Sequence, residues 1–104
     1  NKEKGRTTLA KDLASVPRAL PALMRAAKLQ KRAAKHEAAV PVPSPEDMTR
    51  LAQTCAAGGP EAEQAVGQLL FQVVALARAV GVDPEQALSR RNDAFEKNAI
   101  EQTV

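Results

Sequence analysis

The sequence predicts an all-α protein, a bundle of four helices, and three observations carry that prediction. Hydrophobic residues make up 44% of the 104 residues, yet they are mostly Ala, Leu and Val, with two Phe and no Trp or Tyr. That composition favours helices over sheets. Apolar residues then recur at helical spacing at Val66, Leu69, Leu70, Val73, Ala77 and Val80. Third, helix-start signals built on Pro and Asp alternate with glycine stops along the second half of the chain. A chain of this length suits one small domain and leaves little volume for a self-sufficient core, so self-association is expected.

Residues 1–16 are polar and basic, with Gly5 as a breaker, and read as a linker or loosely attached N-terminal arm, leaving 17–104 as the helical domain. Pro17 and Pro21 fix φ ahead of the first predicted helix, which runs to about His36 with Leu20, Leu23, Ala27 and Ala34 on one face. Arg25, Lys28, Arg32 and Lys35 form a basic stripe on another face, either an ordinary solvated surface or one that meets phosphates or an acidic partner. His36 reads as a helix-end cation favoured by the C-terminal dipole. The prolines at 41, 43 and 45 make a stiff connection. Ser44 as N-cap, Pro45 at N1 and Asp47 at N3 open a second helix to about Ala57, stopped by Gly58 and Gly59.

The third helix follows Pro60 and should end at Gly81. Phe71, Val74 and Leu76 widen its apolar stripe past half the circumference, as in a helix that is buried centrally or shared with a second subunit. Asp83-Pro84-Glu85-Gln86 caps a last helix whose predicted inward side carries Ala87, Leu88, Arg91 and Phe95.

Several function classes are disfavoured. A net charge of +3 and almost no aromatic surface for base stacking argue against a specific nucleic-acid binder. The longest apolar run, 69–77, is interrupted by Gln72 and too short to span a bilayer, so the reading is a soluble, cytoplasmic protein without membrane contact. The single Cys55 excludes an internal disulfide and reads as a small buried apolar side chain. No phosphate-cradling glycine loop, zinc-binding H-E-x-x-H or nucleophile beside a His base is found.

Four segments, EKGR at 3–6, VPRALPALMRAAKLQKRAAK at 16–35, GQLLFQVVALARAVGVDPEQAL at 67–88 and RNDAFEK at 91–97, cover about half of the chain. Together, and in the right order, they resemble the MazG family of nucleoside triphosphate pyrophosphohydrolases, specifically the C-terminal domain of its tandem members. The resemblance implies Mg²⁺-dependent cleavage of nucleoside triphosphates to monophosphate and pyrophosphate in a dimer or larger oligomer. It also implies a metal held by E-E-x-x-E on one helix and E-x-x-D on the next. Acids three or four apart share a helix face, and two such faces opposed supply the oxygen ligands Mg²⁺ takes.

Carried over residue by residue, the first motif falls on Glu46, Asp47 and Arg50, and the second on Ala65 and Gln68. Three of the five acids are therefore replaced, one of them by a cation. Glu46 and Asp47 are the candidate metal ligands, and first-turn capping accounts for both equally. Of the family's nucleotide contacts on the last helix, Asn92 and Lys97 remain while Ala94 replaces a lysine.

The reading that follows is a degenerate MazG-like domain with weak or no hydrolysis and a structural, oligomerisation or regulatory role, associated with itself or with a second MazG-like domain. Two alternatives stand beside it. One is an active Mg²⁺ enzyme that rebuilds its site from Glu46, Asp47 and acids such as Glu61 or Glu63. The other is a non-hydrolytic nucleotide or phosphate-binding module using Arg25, Lys28, Arg50 and Arg91.

Overall fold

The computed structural model describes residues 2–103, which form five α-helices, the longest connection being the proline-rich stretch 35–44 between the second and third. In chain order they are α1 (Lys2–Ala14), α2 (Ala22–Ala34), α3 (Pro45–Ala57), α4 (Ala62–Ala79) and α5 (Pro84–Thr103). Four of them fall on the four predicted helices, and α1 occupies most of the segment expected to be a linker or arm. The described residues contain helices and no strand.

Local chemistry sets the boundaries. The Asp47 N–H donates to Ser44 Oγ at 3.1 Å while Asp47 Oδ2 lies 3.5 Å from the Ser44 N–H, a capping box with Pro45 in the first turn. At the far end of α4, Gly81 takes φ +73°. Its N–H donates to the Arg78 carbonyl at 3.2 Å and the Val82 N–H reaches back to Ala77 at 2.9 Å, which satisfies two carbonyls that the helix end leaves open. A β-carbon at Gly81 would meet open space, so the backbone angle, not crowding, requires glycine there.

The helix α4 is the hub, touching α3, α2 and α5, while among the described residues α1 packs only on α2. Val74 and Ala75 of α4 are 0% and 2% exposed, and Val16, just after α1, is 2% exposed. Gln30 of α2 is also fully buried, its Nε2 donating to the Phe71 carbonyl of α4 at 3.0 Å. The predicted inner face of α2 named only apolar residues, and Ala34 on it is exposed. Cys55, expected to be buried, is half-buried.

Much apolar surface stays uncovered. Val66, Leu70, Val73 and Leu76 of α4 and Val80 just past its end are all exposed, so this over-wide apolar helix is not enclosed within one chain. Leu88 and Phe95, predicted to face inward, are also exposed, because α5 turns 107° from α4 and meets the body only through α2 and α4. The molecule measures 63 × 28 × 25 Å with a radius of gyration of 16.9 Å. A compact chain of this size has about 13 Å, and the excess is the projecting helix. No single helix among the described residues is long and apolar enough to cross a membrane.

The contact between α1 and α2 has a polar fastening. Arg32 Nη1 lies 2.9 Å from Asp12 Oδ1, His36 Nε2 lies 2.9 Å from Asp12 Oδ2, and Arg32 also donates to Ser15 Oγ at 2.7 Å. His36 therefore binds a carboxylate rather than only capping a helix end. The hydrogen bonds from His36 and then Arg32 hold the Asp12 carboxyl below its ordinary range. A depressed carboxylate pKa means that the stabilisation is present above the unfolded value, about 3.9, and is lost as pH falls through the folded value. Amide protection in α1 is thus expected to fall below about pH 4, ahead of α4. Asp12→Asn should show weaker α1 protection already at pH 6 and a flatter acid dependence, which hydrogen exchange measured from pH 6 to pH 3 checks.

Candidate functional site

At Ala65 and Gln68, the positions of the second acidic motif of the resemblance, the structure has an open cleft between α3 and the start of α4. Leu51 and Thr54 line it from α3, and Glu61, Gln64, Ala65 and Gln68 line it from the α4 side. The antiparallel packing of α3 on α4 follows from the tight Gly58-Gly59-Pro60 turn, where both glycines take positive φ.

The candidate ligands do not gather there. Glu46 points into solvent in the first turn of α3. The Asp47 carboxylate pairs with the Arg50 guanidinium one turn along the helix and with the Ser44 backbone N–H. These contacts, Arg50 first, hold the Asp47 carboxyl below its usual range. Arg50, at the position of the third acid in the resembled motif, thus occupies with its own charge the carboxylate that a metal would use.

Across the cleft Ala65 is 7% exposed and supplies only a methyl group, while Gln68 offers an amide. The cleft holds one carboxylate, Glu61, a hydroxyl and two amides. Mg²⁺ demands near-octahedral oxygen ligation anchored by carboxylates, and this donor set does not fit it. Among the described residues no three His, Cys, Asp or Glu side chains lie close enough to share an ion. Chemically the cleft can hydrogen-bond a neutral polar group; it has no assembled general base or electrophile.

Asn92, Ala94 and Lys97 all lie exposed on α5. Since α5 touches α2 and α4 and not α3, a single chain does not bring them to the cleft. Of the basic stripe, Arg32 is engaged by Asp12, Lys28 and Lys35 are exposed, and Arg25 is partly buried with its Nε unpartnered. Glu63 is exposed outside the cleft lining. Sequence reasoning passed over Leu51 and Thr54, which carry no motif and are identified as lining only through the register of α3 on α4.

The chain is similar to the nucleoside triphosphate pyrophosphohydrolases of Escherichia coli strain K12 and of Escherichia coli O157:H7, 35% identical to each over 94 residues. The similarity covers 82% of this chain, whereas the chain spans 36% of the length of either relative. No family model and no solved structure matches it.

Proposed function

We propose that this chain is a degenerate member of the MazG family, a helical domain that keeps the scaffold and its association surface while its own hydrolysis of nucleoside triphosphates is weak or lost. Its role is structural or regulatory, and it works in association with a second copy or with another MazG-like domain in the cytoplasm. Similarity to two nucleoside triphosphate pyrophosphohydrolases over 82% of the chain supports the family. One observation carries the degeneracy: the Asp47 carboxylate is neutralised by Arg50, and the facing helix presents Ala65 and Gln68 where the resembled motif has acids. The uncovered apolar residues of α4 and α5 support association, since a patch of this kind marks a surface that another chain covers.

The experiment is a paired measurement on the whole chain. A ligand stabilises the folded state only as its concentration exceeds its dissociation constant. Millimolar Mg²⁺ is therefore expected to leave the melting temperature within about 1 °C of its value in chelator, and no pyrophosphate should be released from a mixture of nucleoside triphosphates. A saturable rise with Mg²⁺ accompanied by turnover would return the protein to the active class, with Glu61 as the first residue to substitute.

A further inference from the structure

We propose that the cleft between α2 and the turn from α4 to α5 is an anion site for linked phosphates, pyrophosphate or a longer polyphosphate, held by Lys28, Lys31 and Arg78, and that its occupant ties the turn to α2. The site is separate from the α3–α4 cleft and stands whether or not that cleft hydrolyses anything. Ala65 and Arg78 are thirteen positions apart on α4, which sets the two clefts about 20 Å apart along the helix.

Helical register and a forced turn build the cleft. Lys28 and Lys31, three positions apart, line it from one face of α2, and Arg78 lines it from the last turn of α4. The positive φ of Gly81 then swings the chain round to close the remaining side. Its volume is about 410 Å³, within the range of small-molecule sites, about 300–1,000 Å³.

Charge selects the ligand. Lys28 and Lys31 are exposed, Arg78 is half-buried, and none of the three is in an ion pair among the described residues. Lys31 and Arg78 each stand in the last turn of a helix, where the dipole favours a cation. That accounts for each alone and not for three cations meeting at one cleft, which focuses a positive field. The one acid there, Asp83, already caps α5, its Oδ1 accepting from the Glu85 N–H at 3.0 Å and the Gln86 N–H at 3.3 Å. Three cations against that carboxylate leave the cleft at +2. The Arg78 fork matches two oxygens of one phosphate while the lysines on the opposing helix meet the next as point charges. The other lining groups are apolar, such as Met24 and Val82, and none can read a base edge, so the phosphates and not a nucleoside are what the cleft recognises.

Binding there has a consequence for α5. That helix leaves α4 at 107° and meets the body only through α2 and α4. An anion shared by α2 and the end of α4 bridges the two elements that set its direction, and α5 carries Asn92 and Lys97.

Titration calorimetry on the whole chain, in chelator and at matched low ionic strength, tests this with pyrophosphate and tripolyphosphate as probes. Orthophosphate and a hexaglutamate peptide are the comparisons. Pyrophosphate should bind once per chain, tighter than orthophosphate by about tenfold or more, the gain of a second set of charge-assisted contacts. Arg78→Gln, and Lys28→Gln with Lys31→Gln, should each weaken it by about tenfold or more. Lys35→Gln and Arg50→Gln, exposed cations outside the cleft, should leave it unchanged. Circular dichroism checks folding, and the exposed lysine pair carries the test if Arg78→Gln loses helicity. At saturation, hydrogen exchange should slow in residues 81–88. A nucleoside triphosphate should bind no more tightly than tripolyphosphate; tighter binding would assign the phosphates to a nucleotide and overturn the proposal. Equal affinity for orthophosphate or hexaglutamate, or cleft variants that bind like the parent, would also overturn the site, and binding without slowed exchange would overturn the tie to α5. With no Mg²⁺ present, none of these results depends on whether the α3–α4 cleft is degenerate or active.

Discussion

Val74→Asp is expected to leave the chain unfolded at 25 °C. Val74 is 0% exposed and lies one turn after Phe71, whose carbonyl receives the Gln30 side chain of α2, so its environment is the seam between α2 and α4. The new carboxylate would arrive beside buried acceptors, because the Gln30 amide nitrogen is held by the Phe71 carbonyl and both Gln30 and Gln72 hold buried carbonyl oxygens without hydrogen bonds. Burying an unpaired carboxylate costs several kcal/mol even after it takes up a proton. Single domains have about 5–15 kcal/mol in total, and one with four buried apolar residues among the described residues belongs at the low end. The neighbouring Val73→Asp is the control, because Val73 is 39% exposed and an acid there reaches water. Helical circular dichroism should be lost for the first variant and kept for the second. A folded Val74→Asp protein would show that α2 and α4 separate without cost.

What the sequence displayed and what it hid divide along a physical line. Ser44, Pro45, Asp47 and Gly81 were legible because each acts within one turn of itself, through a capping hydrogen bond or a backbone angle. Helix α1 was not legible: its apolar residues are sparse, and what fastens it is Asp12 meeting Arg32 and His36, twenty and twenty-four residues away. Periodicity found the apolar stripes of α4 and α5 but says nothing of what covers them, which is why Leu88 and Phe95 were assigned an inner side they do not have. Gln30 was hidden for a related reason, since a buried amide depends on a carbonyl 41 positions on. Arg50, Ala65 and Gln68 stand in the chain at the positions where the resembled motifs carry acids, and the pairing of Arg50 with Asp47 follows from their three-residue spacing. The burial of Ala65 depends on how α3 lies over α4, which no local pattern encodes.

The burial of Ala65 also shapes what restoring the acids should do. Ala65→Glu and Gln68→Asp place two carboxylates on one face of α4, and Arg50→Glu removes the cation from the opposing helix while adding a third acid. Without metal the triple variant is expected to be less stable than the parent by about 2 kcal/mol, or on the order of 10 °C in melting temperature for a domain of this length. Three terms act in the same direction: a carboxylate enters a site 7% exposed, like charges face one another near Glu61, and the Asp47 to Arg50 ion pair is lost. The sign of the pH dependence follows. Desolvation and mutual repulsion raise the folded-state pKa of the new acids above their unfolded values, so the protonated forms favour the fold and the deficit grows as pH rises through about 4.3. Lowering the pH from 7 to 4.5 should narrow the gap between variant and parent. Mg²⁺ should narrow it too, by about 1.4 kcal/mol at ten times its dissociation constant, whereas the parent should not respond. Rate is a later gain, because Ala94 still lacks the lysine of the resembled motif and α5 does not reach the cleft within one chain. Melting curves of both proteins with chelator and with 10 mM Mg²⁺, about ten times a millimolar dissociation constant, measure all of this. If the triple variant is as stable as the parent and indifferent to Mg²⁺, the three positions do not converge across the cleft, and the resembled motifs align with other positions of the chain.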